Sequence, residues 1–303
     1  MNVAPIALFT YKRPVHTLQA IDSLRKNELS EKSELFIFSD GWKGESDREK
    51  VLAVRERVRK AAGFRRVTII ERDWNYGLAR SIVSGVNEVV GKFGRVIVLE
   101  DDMVTSPFFL QFMNDALDLY ENEEKVISVH GYIYPVKGKL PETFFLRGAD
   151  CWGWATWKRG WELFEPDGAK LFWELKNRGL EEMFNFSGAF PYMSMLEDQI
   201  KGKNDSWAIR WHASAFLGGR LTLYPGRSLI CNIGTDRSGT HCGSTRVFDT
   251  KITADPVRVS PIPIEENTVG LQEIKKYFEG TKKSAWSRLS LVSRAVDFLG
   301  KRW

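Results

Sequence analysis

Through the first hundred residues, short runs rich in Val, Ile and Phe alternate with segments of helical period, and this alternation constrains the fold more than any other feature of the chain. Val3 to Thr10 reads as a buried strand, and Pro14 then opens a helix with Val15, Leu18, Ile21 and Leu24 on one face. Glu34 to Ser39 is a second strand, followed from about Asp47 by a helix with Val51, Val54 and Val58 inward and Gly63 as its stop. Arg66 to Glu71 is a third, and after the turn Asn75-Tyr76-Gly77 a helix covers roughly Leu78 to Val90. The fourth strand starts at Arg95 and runs into three consecutive carboxylates, Glu100, Asp101 and Asp102. Strands joined through helices pair in parallel, and such sheets bind ligands beyond the carboxyl ends of their strands. The expectation is an α/β fold, a mostly parallel sheet flanked by helices, with Thr10, Asp40, Asn75 and Glu100 to Asp102 gathered along one edge.

Three adjacent acids repel one another, so they read either as a solvated turn or as a seat for a hard divalent ion such as Mn²⁺ or Mg²⁺. No GxGxxG follows the first strand and no GxxxxGK[ST] occurs, which argues against dinucleotide and P-loop chemistry. The net charge of +5 resides in residues 271–303, with eight Lys/Arg against three Asp/Glu, and leaves a neutral body without the basic groove expected of a nucleic-acid binder. No apolar run approaches the roughly 18 residues of a membrane span. Cys151, Cys231 and Cys242 are odd in number and lack disulfide or zinc spacing. With an N-terminus that lacks signal-peptide character, a cytoplasmic location is expected.

The second half changes character. After Pro107 a helix carries Phe109, Phe112, Met113, Leu117 and Tyr120, and Val126 to His130 gives another strand. Residues 152–173 hold five of the 11 Trp. Trp157, Trp161 and Trp173 read as core, whereas Trp152 and Trp154 flank Gly153 in an apparent loop, where flat rings suit stacking on a sugar. Asp205 opens a helix to about Leu217 as its N-cap. Arg220 to Leu229 reads as a strand broken at Pro225-Gly226, and a Gly-rich polar loop follows with His241 in it. Residues 249–270 read as a linker. In the tail 271–303, Trp286, Leu289, Val292, Val296, Leu299 and Trp303 form one helical stripe, suited either to docking on the body or to lying in a membrane surface.

Four stretches together resemble a GT-A (Rossmann-like) glycosyltransferase: Phe9-Thr10-Tyr11-Lys12-Arg13-Pro14, Val96 to Phe109, Trp152-Gly153-Trp154 and Asp205 to Arg210. Within that superfamily the chain is similar to the N-acetylglucosaminyltransferase I family and its bacterial relatives, over roughly residues 3–245. The resemblance implies a UDP-sugar donor and Mn²⁺ (or Mg²⁺), with Glu100-Asp101-Asp102 as the family's variant DxD motif and Asp102 on the metal. Glu100 and Asp101 would hold ribose and ordered water, and His241 is a second, weaker metal candidate. Thr10, Tyr11 and Arg13 would line the nucleotide site, Asp40 would meet the uracil, and Asn75, Gly77 and Arg80 belong to the same donor site, Arg80 towards the diphosphate. Asp205 is the candidate base, although Ser206 stands where the family has a second Asp, and Asp198 in Leu196-Glu197-Asp198 is the reserve. Trp152, Gly153 and Trp154 would meet the acceptor.

The implied activity is inverting transfer of N-acetylglucosamine or a similar hexose to a glycan or lipid-linked acceptor in surface polysaccharide synthesis. It would be performed by a catalytic domain over 1–248, a linker over 249–270 and a basic amphipathic helical tail over 271–303. That tail would hold the enzyme on the inner face of the cytoplasmic membrane. Two other readings compete: a sugar-1-phosphate nucleotidyltransferase, which would ordinarily carry a Gly-rich loop where this chain has Tyr11 to Pro14, and a non-catalytic carbohydrate-binding or membrane-surface scaffold.

Overall fold

The computed structural model describes residues 3–234 and 247–281. His241, Cys242 and residues 282–303 lie outside the described residues.

The β-branched and aromatic runs form β1 (Ile6–Thr10), β2 (Glu34–Ser39), β3 (Arg66–Glu71) and β4 (Arg95–Glu100), paired in parallel in the order β3-β2-β1-β4. Between them lie α1 (Pro14–Arg25), α2 (Glu45–Val58) and α3 (Leu78–Phe93). α3 buries Ala79, Ile82, Val86, Val89 and Val90 against one face of the sheet, each large aliphatic worth about 1.5–3 kcal/mol when removed from water. Helix and sheet meet so closely at Gly85 that a Cβ there would come 2.6 Å from the Phe9 ring. Gly94, at φ +77°, ends the helix in the left-handed conformation with its N–H on the Val90 carbonyl at 2.8 Å.

The inward face of α1 differs from the one its apolar residues suggest. Val15 and Leu18 are exposed, and the buried side runs through Thr17, Ala20, Ile21, Ser23 and Leu24. Polar contacts set this rotation: Ser23 Oγ accepts the Thr105 N–H (3.1 Å), and just past the helix Asn27 accepts the Leu110 N–H (2.9 Å) and donates to Thr105 (3.0 Å).

Beyond β4 come β5 (Met103–Thr105), α4 (Phe109–Leu119), β6 (Val126–His130), β7 (Thr143–Arg147), β8 (Trp154–Trp157), α5 (Lys158–Trp161), α6 (Gly168–Asn177), α7 (Glu181–Phe184), α8 (Tyr192–Ile200), α9 (Trp207–Leu217), β9 (Leu221–Pro225), β10 (Ile230–Asn232) and α10 (residues 268–281). The sheet continues as β4-β8-β6-β9-β7, giving eight strands among the described residues. β8 is antiparallel to both neighbours, Trp154 lying opposite Val98 and His130, so the start of β8 reaches the edge where β1, β2, β4 and β6 end. β10 and β5 form a small antiparallel pair, after which the Ile233 N–H donates to the Asp102 carbonyl at 2.9 Å.

Trp154 is therefore a strand residue. It is wholly buried and its ring packs on Trp161, Trp207 and Trp211. Trp173 is the reverse correction: Leu171 and Leu175 form the buried side of α6, and Trp173 is 60% exposed between them.

Residues 249–270 do not separate two bodies. The Thr253 N–H donates to the Ser228 carbonyl (2.8 Å), Tyr120 OH to the Ser260 carbonyl (3.2 Å) and the Asn267 N–H to the Phe145 carbonyl (2.8 Å), and Val257 is buried. This strap leads into α10, whose Ile274 and Phe278 are buried in a cluster with Ile133, Phe144 and Tyr224. The first part of the basic tail thus docks on the domain. Among the described residues no helix is long and apolar enough to cross a membrane.

Candidate functional site

The loop after β1 is bound to the acids after β4. Arg13 Nε donates to Asp101 Oδ1 at 3.1 Å, and its Nη2 donates to the same oxygen and to Asp102 Oδ2 at 2.9 Å. The Tyr11 N–H (3.3 Å) and the Thr17 hydroxyl (3.5 Å) reach Asp101 Oδ2. The other side of the loop is anchored on α2, where Asp47 accepts from Tyr11 OH (2.7 Å) and Lys12 Nζ (2.9 Å). Burial and the hydrogen bond to Asp47 push the Tyr11 hydroxyl up to about 12. Thr10 is buried, its hydroxyl 3.5 Å from the Phe38 carbonyl.

Three carboxylates here share one guanidinium. Burial, and then the charges of Asp102 and Asp101, push Glu100 up to about 8. Burial also raises Asp101, against the pull of Arg13. Burial works against the Arg13 charge, but Asp101 and Asp102 outweigh it and hold the guanidinium firmly protonated. Asp102 Oδ1 is buried and meets no donor among the described residues, and a Cβ at Gly234 would collide with this carboxylate. Among the described residues no three His, Cys, Asp or Glu side chains form a ready-made cation cage. The residues present still fit Mg²⁺ or Mn²⁺, because such ions are commonly held by one or two carboxylates with phosphate oxygens and water completing the shell, and Asp102 Oδ1 is an open oxygen ligand.

Asp40, expected to meet a ligand, is saturated by its own protein. Oδ1 accepts the Gly41 (2.9 Å) and Tyr76 (2.8 Å) N–H groups, and Oδ2 accepts the Gly77 N–H (3.0 Å) and Asn75 Nδ2 (3.0 Å). A carboxylate offers about four lone-pair positions, so Asp40 is a staple for the β3–α3 turn. Asn75 Nδ2 also donates to the Gly41 carbonyl (2.8 Å), so its side chain belongs to the same staple. Gly77, at φ +74°, then leads into α3 without a side-chain cap or an acid in the first turn, which leaves amide N–H groups and the positive end of the helix dipole facing outward. The exposed Arg80 guanidinium lies 4.4 Å from the centre of the Tyr76 ring, and Arg72 lies 4.7 Å from it.

The base candidates occupy a different setting. Ser206, not Asp205, caps α9 by accepting the Ile209 N–H (3.3 Å), because the helix starts one residue later than expected. The Asp205 side chain is 69% exposed and pairs with Arg210 at 3.0 Å. Asp198 pairs with Lys203 at 2.8 Å on the surface of α8. Of the three acceptor-side candidates, buried Trp154 cannot present a face, Gly153 holds the turn with φ +64°, and Trp152 is half-buried, edge-on to Tyr132 and Phe248. Two polar residues beside Trp152 escaped the sequence reading, His130 and Asp150. The one signal for them was position, His130 ending a legible strand and Asp150 standing two residues before Trp152.

No protein-family model and no curated protein matches the chain. Among solved structures it is similar to S. aureus TarS, with a TM-score of 0.31 and 13% identity over 48% of this chain and 24% of that one. It is likewise similar to S. aureus TarS 1-349, with a TM-score of 0.30 and 12% identity over 48% of this chain and 41% of that one. The match thus spans less than half of either solved chain, a likeness too slight to carry an argument about function.

Proposed function

We propose that the chain transfers a sugar from a UDP-sugar to a glycan or lipid-linked acceptor with the help of Mn²⁺ or Mg²⁺. The observation that supports this best is the buried Asp102 carboxylate, one oxygen on Arg13 and the other without a donor among the described residues, at the carboxyl edge of the parallel half of the sheet. Asp102 would hold the ion, and His241 remains a proposal from outside the described residues. The ion, when bound, neutralises charge on the departing diphosphate. Around it Arg13 and Arg80 supply fixed positive charge, the open amides of α3 meet phosphate oxygens, and Asp40 keeps that turn in place. Glu100, which burial and the neighbouring acids push up to about 8, would face the ribose. Trp152 offers an aromatic edge to the acceptor. Asp205 and Asp198 stand as proposed bases, although each already engages a cation. N-acetylglucosamine as donor sugar, an inverting course and a role in surface polysaccharide synthesis follow from the family resemblance alone.

The test is a panel of UDP-sugars incubated with the chain and MnCl₂, reading released UDP. Metal-dependent release from one or a few donors supports the reading. Pyrophosphate formed from UTP and a sugar-1-phosphate would support the nucleotidyltransferase instead, and UDP binding without turnover the scaffold.

A further inference from the structure

A second polar centre lies on the same edge of the sheet. β7 ends at Arg147 opposite Leu221, at the far end of the strands, and residues 148–153 cross back to begin β8 beside His130. This crossing is pinned at both ends: Gly148 exchanges bonds with Arg220 (3.0 Å) and the Thr222 hydroxyl (2.7 Å), and the Trp152 N–H donates to His130 Nε2 (3.2 Å). It delivers Asp150 to the carboxyl edge, next to Trp152.

There, among the described residues, Asp150 meets only neutral partners. Tyr134 OH donates to its Oδ2 at 3.2 Å and the Cys151 N–H to its Oδ1 at 2.9 Å. His130 is wholly buried, and because its Nε2 accepts from Trp152, its proton is assigned to Nδ1, which lies 3.9 Å from Asp150 Oδ2. Burial holds His130 below the usual imidazole range, so it is no counter-charge. Among the described residues no Lys or Arg pairs with Asp150, whose side chain keeps 22% of its surface open. Asp205 and Asp198 differ on both counts: each is more exposed, and each is already engaged by a cation.

Building on the glycosyl-transfer reading, we infer that Asp150 is the proton acceptor of the reaction, at an acceptor subsite for a saccharide hydroxyl beside Trp152. The Asp150 carboxylate takes the proton of the incoming hydroxyl while that oxygen bonds to the anomeric carbon. The bond from that carbon to the diphosphate oxygen breaks, and its electron pair leaves with the nucleoside diphosphate. Tyr134 is a positioning residue, holding the carboxylate through a neutral donor, and His130 stands uncharged beside it.

The test measures UDP affinity by calorimetry with MnCl₂, melting temperature, and UDP release with water as acceptor from the UDP-sugar the wild type uses fastest. Asp150→Asn should keep UDP affinity within about twofold and lose roughly 10²–10⁴-fold in release, the usual cost of removing a positioned base. Asp150→Glu should retain more activity than Asp150→Asn, whatever either does to stability. Tyr134→Phe should shift the acidic limb of the pH–rate profile with little change in UDP affinity. The inference is overturned if Asp150→Asn releases UDP as fast as Asp150→Glu, or if Asp205→Asn or Asp198→Asn shows the selective loss while Asp150→Asn does not. A wild-type chain that binds no UDP overturns the glycosyl-transfer reading and this inference together, whereas an active wild type with an equally active Asp150→Asn overturns this inference alone.

Discussion

Among the described residues Arg13 is the one cation paired with Asp101 and Asp102, and replacing it by Met isolates what that charge does. Its side chain is 17% exposed, with Nε 3.1 Å from Asp101 Oδ1 and Nη2 2.9 Å from Asp102 Oδ2. Methionine fills most of the volume, so the loss is chiefly electrostatic: three carboxylates left together without a counter-charge. Removing one partner of a buried pair costs about 3–5 kcal/mol. At roughly 2 °C per kcal/mol for a domain of this size, Arg13→Met should melt about 6–10 °C below the wild type. A divalent cation can take the place of the guanidinium, so millimolar MnCl₂ should raise the variant's melting temperature more than that of the wild type. KCl at equal ionic strength should not, because screening acts weakly on buried charges. Thermal shift with and without the two salts measures all of this. A loss under about 2 °C would show that Arg13 does not balance the acids, and equal recovery in KCl would show that the acids make no cation site.

Asp40→Ala leaves the Tyr76 and Gly77 N–H groups without an acceptor, which at about 1–3 kcal/mol per buried donor should destabilise the β3–α3 turn and weaken UDP binding, detected by limited proteolysis across residues 72–78 and by calorimetry. Burial holds His130 and His212 neutral in the fold, each below its ordinary value near 6.5, so the stability they contribute is present above that pH and is lost as pH falls through the lowered values. Melting temperature should therefore drop from pH 7 to pH 5, and His212→Asn, which can still donate to the Ala149 carbonyl, should flatten the slope. Deleting residues 282–303 removes Lys282, Lys283, Arg288, Arg294, Lys301 and Arg302, each worth about 1 kcal/mol at an anionic leaflet, and should abolish co-sedimentation with anionic vesicles without lowering the melting temperature. A deletion starting at Leu271 also removes the buried Ile274 and Phe278 and should lower it.

The parts of the fold legible in the sequence were those set by local pattern. β2, β3 and β6 have the limits that their β-branched and aromatic runs suggest, and the fourth strand delivers its three acids as expected. β8 was illegible because Trp152-Gly153-Trp154 has the composition of a turn, and Trp154 becomes strand only through pairing with β4 and β6, which lie far away in sequence. The face of α1 was misjudged for a related reason: Ser23 and Asn27 bond to Thr105 and Leu110, and those partners cannot be seen from a helix's own periodicity. At the site, Arg13 and the three acids were visible as a motif, but the role of Asp40 depends on the turn at 75–77, and the setting of Asp150 depends on a crossing that starts at the opposite edge of the sheet.

Calorimetric titration of UDP into the chain with MnCl₂, repeated with chelator and with Asp102→Ala, tests the central claim most directly. The account predicts binding in the first case and its loss in the other two, because without the ion the diphosphate meets uncompensated acids. Binding of equal strength in all three, or no binding in any, would contradict it.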